Sequence, residues 1–323
     1  MLRRLVLMLS LIISTHHHAF AGCGDELLSP KDKFAIGMSA ERKWIDSILP
    51  IKLASTIPSQ MNLAAAMNYS LNAGGKRIRP YLFVITGKSL GIDKAKIIPL
   101  LRAIEHFHTA SLIFDDLPAQ DNAAMRRGRP TSHQQYPEYL SQMAGISLIA
   151  EGFRSISELN QNFEPNLVVS VYEYCSTQLG VSGLSTGQVI DLDAERSNHI
   201  FTLDELKQRT FYKTTLAIEA SIVPVLILAK QSVEKIELWK KLAYEIGLIF
   251  QMTDDVLDTT SNSSETGKDA AKDSFNFVTL LGVEGVKREI KLSQLRAYKI
   301  LEQLPEAVIE FRGLMDYLVD RKK

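Results

Sequence analysis

Residues 94–116 read KAKIIPLLRAIEHFHTASLIFDD, and this stretch decides the fold. Ile97, Leu100, Leu101 and Ile104 recur at intervals of three and four residues, which is the period of a helix with an apolar face. The run ends in two adjacent carboxylates. It therefore predicts a buried helix that carries acidic groups to the mouth of a cavity.

The same helical period continues on both sides of this stretch. Leu63, Met67 and Leu71 repeat it, strand-like alternation is scarce, and the prolines mostly lie between periodic segments. Residues 202–221 and 225–258 are apolar on more than one face, which is typical of helices inside a bundle. The sequence predicts an all-α, single-domain bundle of long helices around a central apolar cavity.

Composition excludes several classes of function. The chain has 323 residues, of which 46% are hydrophobic, so it can bury a sizeable core. Its 37 basic residues balance its 37 acidic ones, so no overall field recruits nucleic acid or an anionic surface. The two cysteines, Cys23 and Cys175, are too few for a disulfide framework or a cysteine-based metal site. Any anion binding must be local.

The first 30 residues differ from the rest of the chain. Two arginines precede an apolar run of about ten residues, and small residues follow, as in a secretory signal peptide (Arg3, Arg4, 5–14, Ala19, Ala21, Gly22). Residues 20–23 also resemble a lipoprotein cleavage box, which would attach a lipid to Cys23 and hold the protein at a membrane. The alternative is that residues 1–30 are not translated and that Met38 is the true start. In both cases the catalytic domain is expected to span residues 39–323.

Two clusters of aspartates are candidate metal ligands. They comprise Asp115, Asp116 and Asp121 in the first and Asp254, Asp255 and Asp258 in the second. Carboxylates this close repel each other unless a cation lies between them. Mg²⁺ prefers oxygen ligands and usually binds one or two carboxylates together with substrate phosphates. Either cluster alone could be a solvated helix end, but two clusters on apolar helices favour a magnesium site.

Two basic runs supply the opposite charge. Residues 74–80 read GGKRIRP, in which the glycines let the backbone approach an anion, while Lys76, Arg77 and Arg79 offer donors for phosphate. Arg126 and Arg127 follow the first aspartate cluster directly. Taken singly, each run could be solvated surface. Beside acidic magnesium ligands, they predict a site for a diphosphate.

Together these motifs resemble those of the trans-isoprenyl diphosphate synthases, the family of farnesyl and geranylgeranyl diphosphate synthases. The resemblance extends over residues 62–282 and includes Gly187, Gln188, Asp191, Lys213, Thr214 and residues 280–282. It implies the isoprenoid synthase fold and a homodimer. It also implies a cytoplasmic transferase that joins isopentenyl diphosphate to an allylic diphosphate.

The resemblance also implies a role for each site residue. Asp115, Asp121 and Asp254 would hold Mg²⁺, three ions when substrate is bound, with Asp116, Asp255 and Asp258 in support. Arg126 and Lys213 would contact the allylic diphosphate, whereas Lys76, Arg79, His108 and Arg127 would bind isopentenyl diphosphate. Thr214 and Gln251, with the backbone carbonyl of Lys213, would stabilise the allylic cation.

The small Ala110 lies about one turn before Asp115, where farnesyl-producing relatives tend to carry an aromatic residue. We therefore expect a twenty-carbon geranylgeranyl product ahead of a fifteen-carbon farnesyl product.

Several positions depart from the family pattern. Asn122, Ala123 and Ala124 stand where further acids are usual, and Ile146 replaces an aspartate. The stretch 259–274 is short, and Ser274 replaces a lysine. These changes predict weakened activity. They also keep open a second hypothesis, a non-catalytic prenyl diphosphate binding or regulatory subunit of a heteromeric synthase, although the intact aspartates favour catalysis.

Overall fold

The protein is an assembly of helices in a computed structural model that describes residues 28–197, 199–260 and 276–321. The helices are α1 (Pro30–Ile48), α2 (Pro58–Leu71), α3 (Ile78–Ser89), α4 (Ile98–Asp116), α5 (Ser132–Gln135), α6 (Glu138–Ser157), α7 (Pro165–Leu179), α8 (Leu184–Ser197), α9 (Leu203–Thr210), α10 (Leu216–Glu219), α11 (Val223–Leu228), α12 (Val233–Thr260), α13 (Phe277–Leu301) and α14 (Val308–Asp320). Within the described ranges the only strands are β1 (Met125–Arg126) and β2 (Arg129–Pro130), which form an antiparallel hairpin. The all-α prediction is confirmed.

Helix α4 is fixed in the bundle by close packing against α6. A Cβ atom added to Gly152 would lie 2.3 Å from the ring of Phe107, and one added to Gly145 would lie 2.8 Å from the ring of Phe114. Both rings belong to α4, so two glycines of α6 provide the space that these aromatic side chains fill. Because interiors are packed at crystal-like density, this contact sets the position of the aspartates at the end of α4.

The two ends of the described chain meet. The ring of Phe34 in α1 lies 5.3 Å from that of Tyr81 and 5.4 Å from that of Tyr317 in α14, and Phe34 is buried. Ser29 caps α1 by accepting a hydrogen bond from the backbone of Asp32. Phe34 of α1 therefore packs into the core ahead of residue 39, where the catalytic domain was predicted to start. A chain that began at Met38 would lack a core aromatic side chain.

Two predicted helices are interrupted. The run 225–258 is divided, since α11 ends at Leu228 and Lys230 has a positive φ of 52° before α12 begins. The run 202–221 contains a π-helical turn, Phe211–Thr215, between α9 and α10. Apolar periodicity did not reveal these two points, because it does not report a local change of backbone conformation.

None of the helices in the described part of the chain is long and apolar enough to cross a membrane. The predicted signal peptide or lipid anchor, including Cys23, falls on residues that are not described, as does Ser274.

Candidate active site

The first aspartate cluster lies where α4 ends and the chain folds back. The backbone N–H of Asp121 donates to the carbonyl of Asp115 over 2.9 Å, which returns the loop to the end of the helix. Asp116 is 3% exposed, and Nε of Arg126 donates to both of its carboxylate oxygens over 2.8 Å. Arg126 belongs to β1, so the hairpin brings a cation to the aspartates. Asp116 is thereby held by protein, while Asp115 and Asp121 lie close together.

The electrostatics of Asp115 indicate a site for a cation. Burial raises the pKa of this carboxyl to about 6, Lys213 opposes the rise, and Asp121 adds to it. Two neighbouring acids in a partly dehydrated place are costly to ionise together, and a divalent cation between them removes that cost. Asp115 and Asp121 therefore fit Mg²⁺ as ligands.

A cationic cluster faces these acids. Nη1 of Arg79 lies 3.4 Å from Nε2 of His108, and burial together with the charges of Arg79 and Arg127 holds the pKa of His108 well below its usual value. Burial also lowers the pKa values of Lys76, Arg79 and Arg127. Cations whose charged forms are disfavoured in this way would gain free energy from a polyanion. The cluster therefore predicts a diphosphate site.

Arg77 was wrongly predicted as a phosphate donor. Its side chain is 4% exposed, donates to Glu105 over 2.5 Å and to Asp46 over 2.8 Å, and also donates to the carbonyl of Leu71 over 2.7 Å. Its backbone adopts a left-handed φ of 56° immediately before α3. That conformation turns the side chain into the protein. Arg77 therefore anchors the glycine-rich loop, and Lys76 and Arg79 remain as the predicted phosphate donors of this run.

The predicted cation-stabilising pair is brought together and fixed in orientation. The hydroxyl of Thr214 donates to Oε1 of Gln251 over 2.9 Å, and Nε2 of Gln251 donates to Asp255 over 2.9 Å. Asp255 also accepts the backbone N–H of Phe277 over 2.9 Å and is 4% exposed. This places Asp255 in the scaffold that joins α12 to α13, on a different helix face from Asp254.

Asp254 is held by a residue that the sequence reading missed. Arg321, near the end of the chain, forms an ion pair with Asp254, donates to the carbonyl of Phe250 over 3.0 Å and lies 4.3 Å from the centre of the Phe250 ring. No local signal marks Arg321, because its partners lie on a distant helix. Asp258 lies one turn after Asp254 on the same face of α12 and is exposed.

Lys213 and Thr214 belong to the π-helical turn. Two other helices pack closely against this turn because each has a glycine at the point of contact. A Cβ on Gly187 would lie 2.8 Å from the backbone of Tyr212, and one on Gly247 would lie 3.0 Å from Cα of Thr215. Single π-turns occur often at functional sites. The glycine of the Gly187–Gln188 pair was part of the sequence pattern, whereas Gly247 had no signal.

Asp191 forms ion pairs with both Lys213 and Arg209. Burial opposes ionisation of Asp191, but the two cations outweigh it and lower its pKa. Arg209 is a further site neighbour that the sequence did not reveal.

Electrostatic neighbours link the two aspartate clusters. The charge of Asp254 favours the protonated form of Arg79, and the charges of Arg79 and Arg126 lower the pKa of His108. The charge of Arg126 also opposes the raised pKa of Asp115. Within the described residues no three acidic, histidine or cysteine side chains form a complete metal site by themselves.

The chain is similar to known proteins over most of its length. Residues 60–318 match the family model described as polyprenyl synthetase. Farnesyl diphosphate synthase of Micrococcus luteus is 34% identical over 290 residues, covering 88% of this chain and 98% of that protein. Geranylgeranyl pyrophosphate synthase 9, chloroplastic, of Arabidopsis thaliana is 33% identical over 296 residues, covering 89% and 81%. A geranyltransferase of Helicobacter pylori, solved in complex with magnesium and isoprenyl diphosphate, superposes with a TM-score of 0.74 at 29% identity and covers 91% and 98%.

The contrast between Arg77 and Arg79 can be tested directly. We expect Arg77→Ala to lower the free energy of unfolding by about 3–5 kcal/mol, because it leaves the buried Glu105 without its cation. Arg79→Ala should cost much less stability. Urea unfolding followed by circular dichroism measures both. Replacing the pair together, Arg77→Met with Glu105→Leu, should recover most of the loss. Equal stability of Arg77→Ala and the unmodified protein would refute the scaffold role.

Proposed function

The chain belongs to the polyprenyl synthetase family, and from that membership we propose that it condenses isopentenyl diphosphate with an allylic diphosphate. Its relatives are farnesyl and geranylgeranyl diphosphate synthases, so it is a prenyltransferase of the short-chain type. The observation that carries the proposal is a set of contacts around the hairpin: Arg126 donates to Asp116 at the end of α4, and Arg127 donates to the carbonyl of Gly74, which joins the aspartates to the glycine-rich loop. Such a network suits two diphosphates bound side by side.

The acids fit the cofactor that the family implies. We infer that Asp115, Asp121 and Asp254 hold Mg²⁺, with three ions present when substrate is bound, and that Asp116, Asp255 and Asp258 hold those ligands in place. Bound magnesium supplies neutralisation of the diphosphate charge, which favours departure of that group.

The remaining site residues bind and orient the two substrates. Arg126, which donates to Asp116, and Lys213, which pairs with Asp191, would contact the allylic diphosphate. Lys76, Arg79 and Arg127 would bind isopentenyl diphosphate, and His108, kept neutral by its lowered pKa, would donate a hydrogen bond. As the allylic carbon–oxygen bond breaks, Thr214 and Gln251 would face the carbocation. The double bond of isopentenyl diphosphate then attacks it, and the released diphosphate takes the proton.

Two of the departures from the family pattern leave these groups in place. Asn122 has a left-handed φ of 49°, a conformation that asparagine tolerates well, and its N–H donates to the carbonyl of Leu117 over 3.1 Å. Ile146 is 52% exposed on α6, while the adjacent Gly145 receives the ring of Phe114. Neither change alters an aspartate or a cation of the site. We therefore favour an enzyme over a regulatory subunit.

Turnover by the full chain tests the proposal. With isopentenyl diphosphate, magnesium and allylic diphosphates of five, ten and fifteen carbons, we expect elongated products that mass spectrometry can identify. Asp254→Ala should lower kcat by on the order of a hundredfold or more, since it removes a ligand for the departing charge. Asp193→Ala, which changes an exposed acid of α8, is the matched control. Substrate binding without turnover in the unmodified protein would establish the regulatory alternative.

Product length should depend on Ala110. This residue of α4 is fully buried in a cluster that contains Ala66, Ala144 and Leu148. Its own side chain and those of the two other alanines fill little space. We propose a twenty-carbon product on that ground, since each further buried methylene contributes about 0.8 kcal/mol where room exists. We expect Ala110→Phe to shift the product to fifteen carbons and Ala110→Ser to leave it unchanged. An unchanged product in a folded Ala110→Phe variant would place the limit elsewhere.

We also propose a homodimer. Tyr139, Met143 and Ile146 lie on one face of α6 and are 67%, 44% and 52% exposed, which gives an apolar stripe suited to a second copy. Light scattering should give twice the chain mass. Met143→Lys should shift the protein towards the monomer, because it would bury a charge, whereas Val181→Lys, at a residue 85% exposed, should not. A monomeric mass for the unmodified protein would contradict this proposal.

A further inference from the structure

Lys213 is restrained by a carboxylate that none of the assigned roles uses. Its Nζ forms an ion pair with Asp191, and Nε of Arg209 forms another with the same carboxylate. The Asp191 side chain is 9% exposed, against 43% for Lys213 and 22% for Arg209. A nearly buried acid is thus shared by two cations, of which Lys213 is the more accessible.

Arg209 is tied to the scaffold on its other side. Its guanidinium lies 5.4 Å from the centre of the Phe201 ring, and Phe201 is 8% exposed. The next residue, Thr202, begins α9 with a capping box formed with Glu205. Phe201 lies just before α9 and Arg209 near its end, so both ends of this short helix help to hold the guanidinium group. Through its ion pair, Arg209 then holds the carboxylate of Asp191.

The helix that carries Asp191 also contacts the loop of the first aspartate cluster, since Nε2 of Gln188 donates to Oε1 of Gln120 over 2.8 Å. Of the two cations on Asp191, Lys213 is therefore the one that a ligand at this cluster can reach, since its side chain is 43% exposed. A lysine side chain carries a compact charge on a flexible stem of four carbons and loses conformational freedom when it is held in one place. An ion pair with a fixed acid removes that freedom before any ligand arrives, which reduces the entropy that binding must lose.

We propose that Asp191 is a positioning residue which, with Arg209, holds Lys213 beside Asp115 for the allylic diphosphate. This inference rests on the proposed function. The presence of two cations on one acid lets Lys213 move to a ligand without leaving Asp191 unpaired. When a diphosphate attracts Lys213, Arg209 still compensates the charge of Asp191, so the buried carboxylate is not left alone, a situation that is strongly unfavourable.

Binding without turnover tests the proposal. Titration calorimetry of the full chain with geranyl diphosphate and magnesium, in the absence of isopentenyl diphosphate, reports allylic affinity alone. We expect Asp191→Asn to weaken it by about tenfold or more, as for the loss of one charge-assisted contact, and Asp191→Glu to restore part of it. Lys213→Ala should weaken it to a similar extent. In the Lys213→Ala background, Asp191→Asn should add less than about twofold, because the acid acts through the lysine.

Two controls separate positioning from a merely structural role. Asp193→Asn changes an exposed acid of the same helix and should leave the affinity unchanged. The affinity for isopentenyl diphosphate alone should stay within about twofold in Asp191→Asn, since its predicted ligands lie on other elements. Additive losses in the double variant, or equal weakening of both substrates, would overturn the assignment.

Failure of the proposed function gives a different result. If the unmodified protein binds geranyl diphosphate but forms no product, the enzyme assignment fails while the double-variant comparison still decides the role of Asp191. If the unmodified protein does not bind geranyl diphosphate with magnesium, both are overturned.

Discussion

The compensation of partly buried charge is the constraint on which the site depends. A bundle that brings carboxylates and guanidinium groups out of water must pair them, because an isolated charge is far more costly to bury than a pair. Asp116 is paired with Arg126, Asp191 with Lys213 and Asp254 with Arg321. Each pair joins residues from different helices or loops. The same contacts therefore hold the site together and set the distances between its charged groups.

Neighbouring residues of one motif serve opposite purposes. Arg77 points inward to Glu105, whereas Arg79 lies beside His108. The helix of the second cluster divides in the same way, since Asp255 accepts the backbone N–H of Phe277 at the start of α13 while Asp254 pairs with Arg321. A helix turns by about 100° per residue, so adjacent side chains cannot share a face. Charged motifs of this length thus contain both the ligands and the groups that fix them.

The sequence was sufficient where the determining interactions are local. Apolar periodicity predicted α4, whereas the roles assigned to the acids and bases of the motifs stay predictions. It was insufficient where the partner is distant. Arg321 is 67 residues from Asp254, and Arg209 is 18 residues from Asp191, so neither pair leaves a spacing pattern. The sequence also could not predict that the Arg77 side chain is buried, because nothing in the motif shows that this residue has a left-handed backbone conformation. The break at Lys230 has the same cause.

The existing ion pairs also bear on which ligands the site can accept. A ligand that takes Lys213 or Asp254, alone or with a metal, must displace part of a contact that is already made, so its own interaction has to offset that loss. A diphosphate with magnesium presents several charges at once and can replace both partners of such a pair. A neutral isoprenoid alcohol offers one hydrogen bond and leaves the displaced charges unpaired. If the chain binds the diphosphates proposed for it, its own ion pairs would add to the discrimination against such an alcohol.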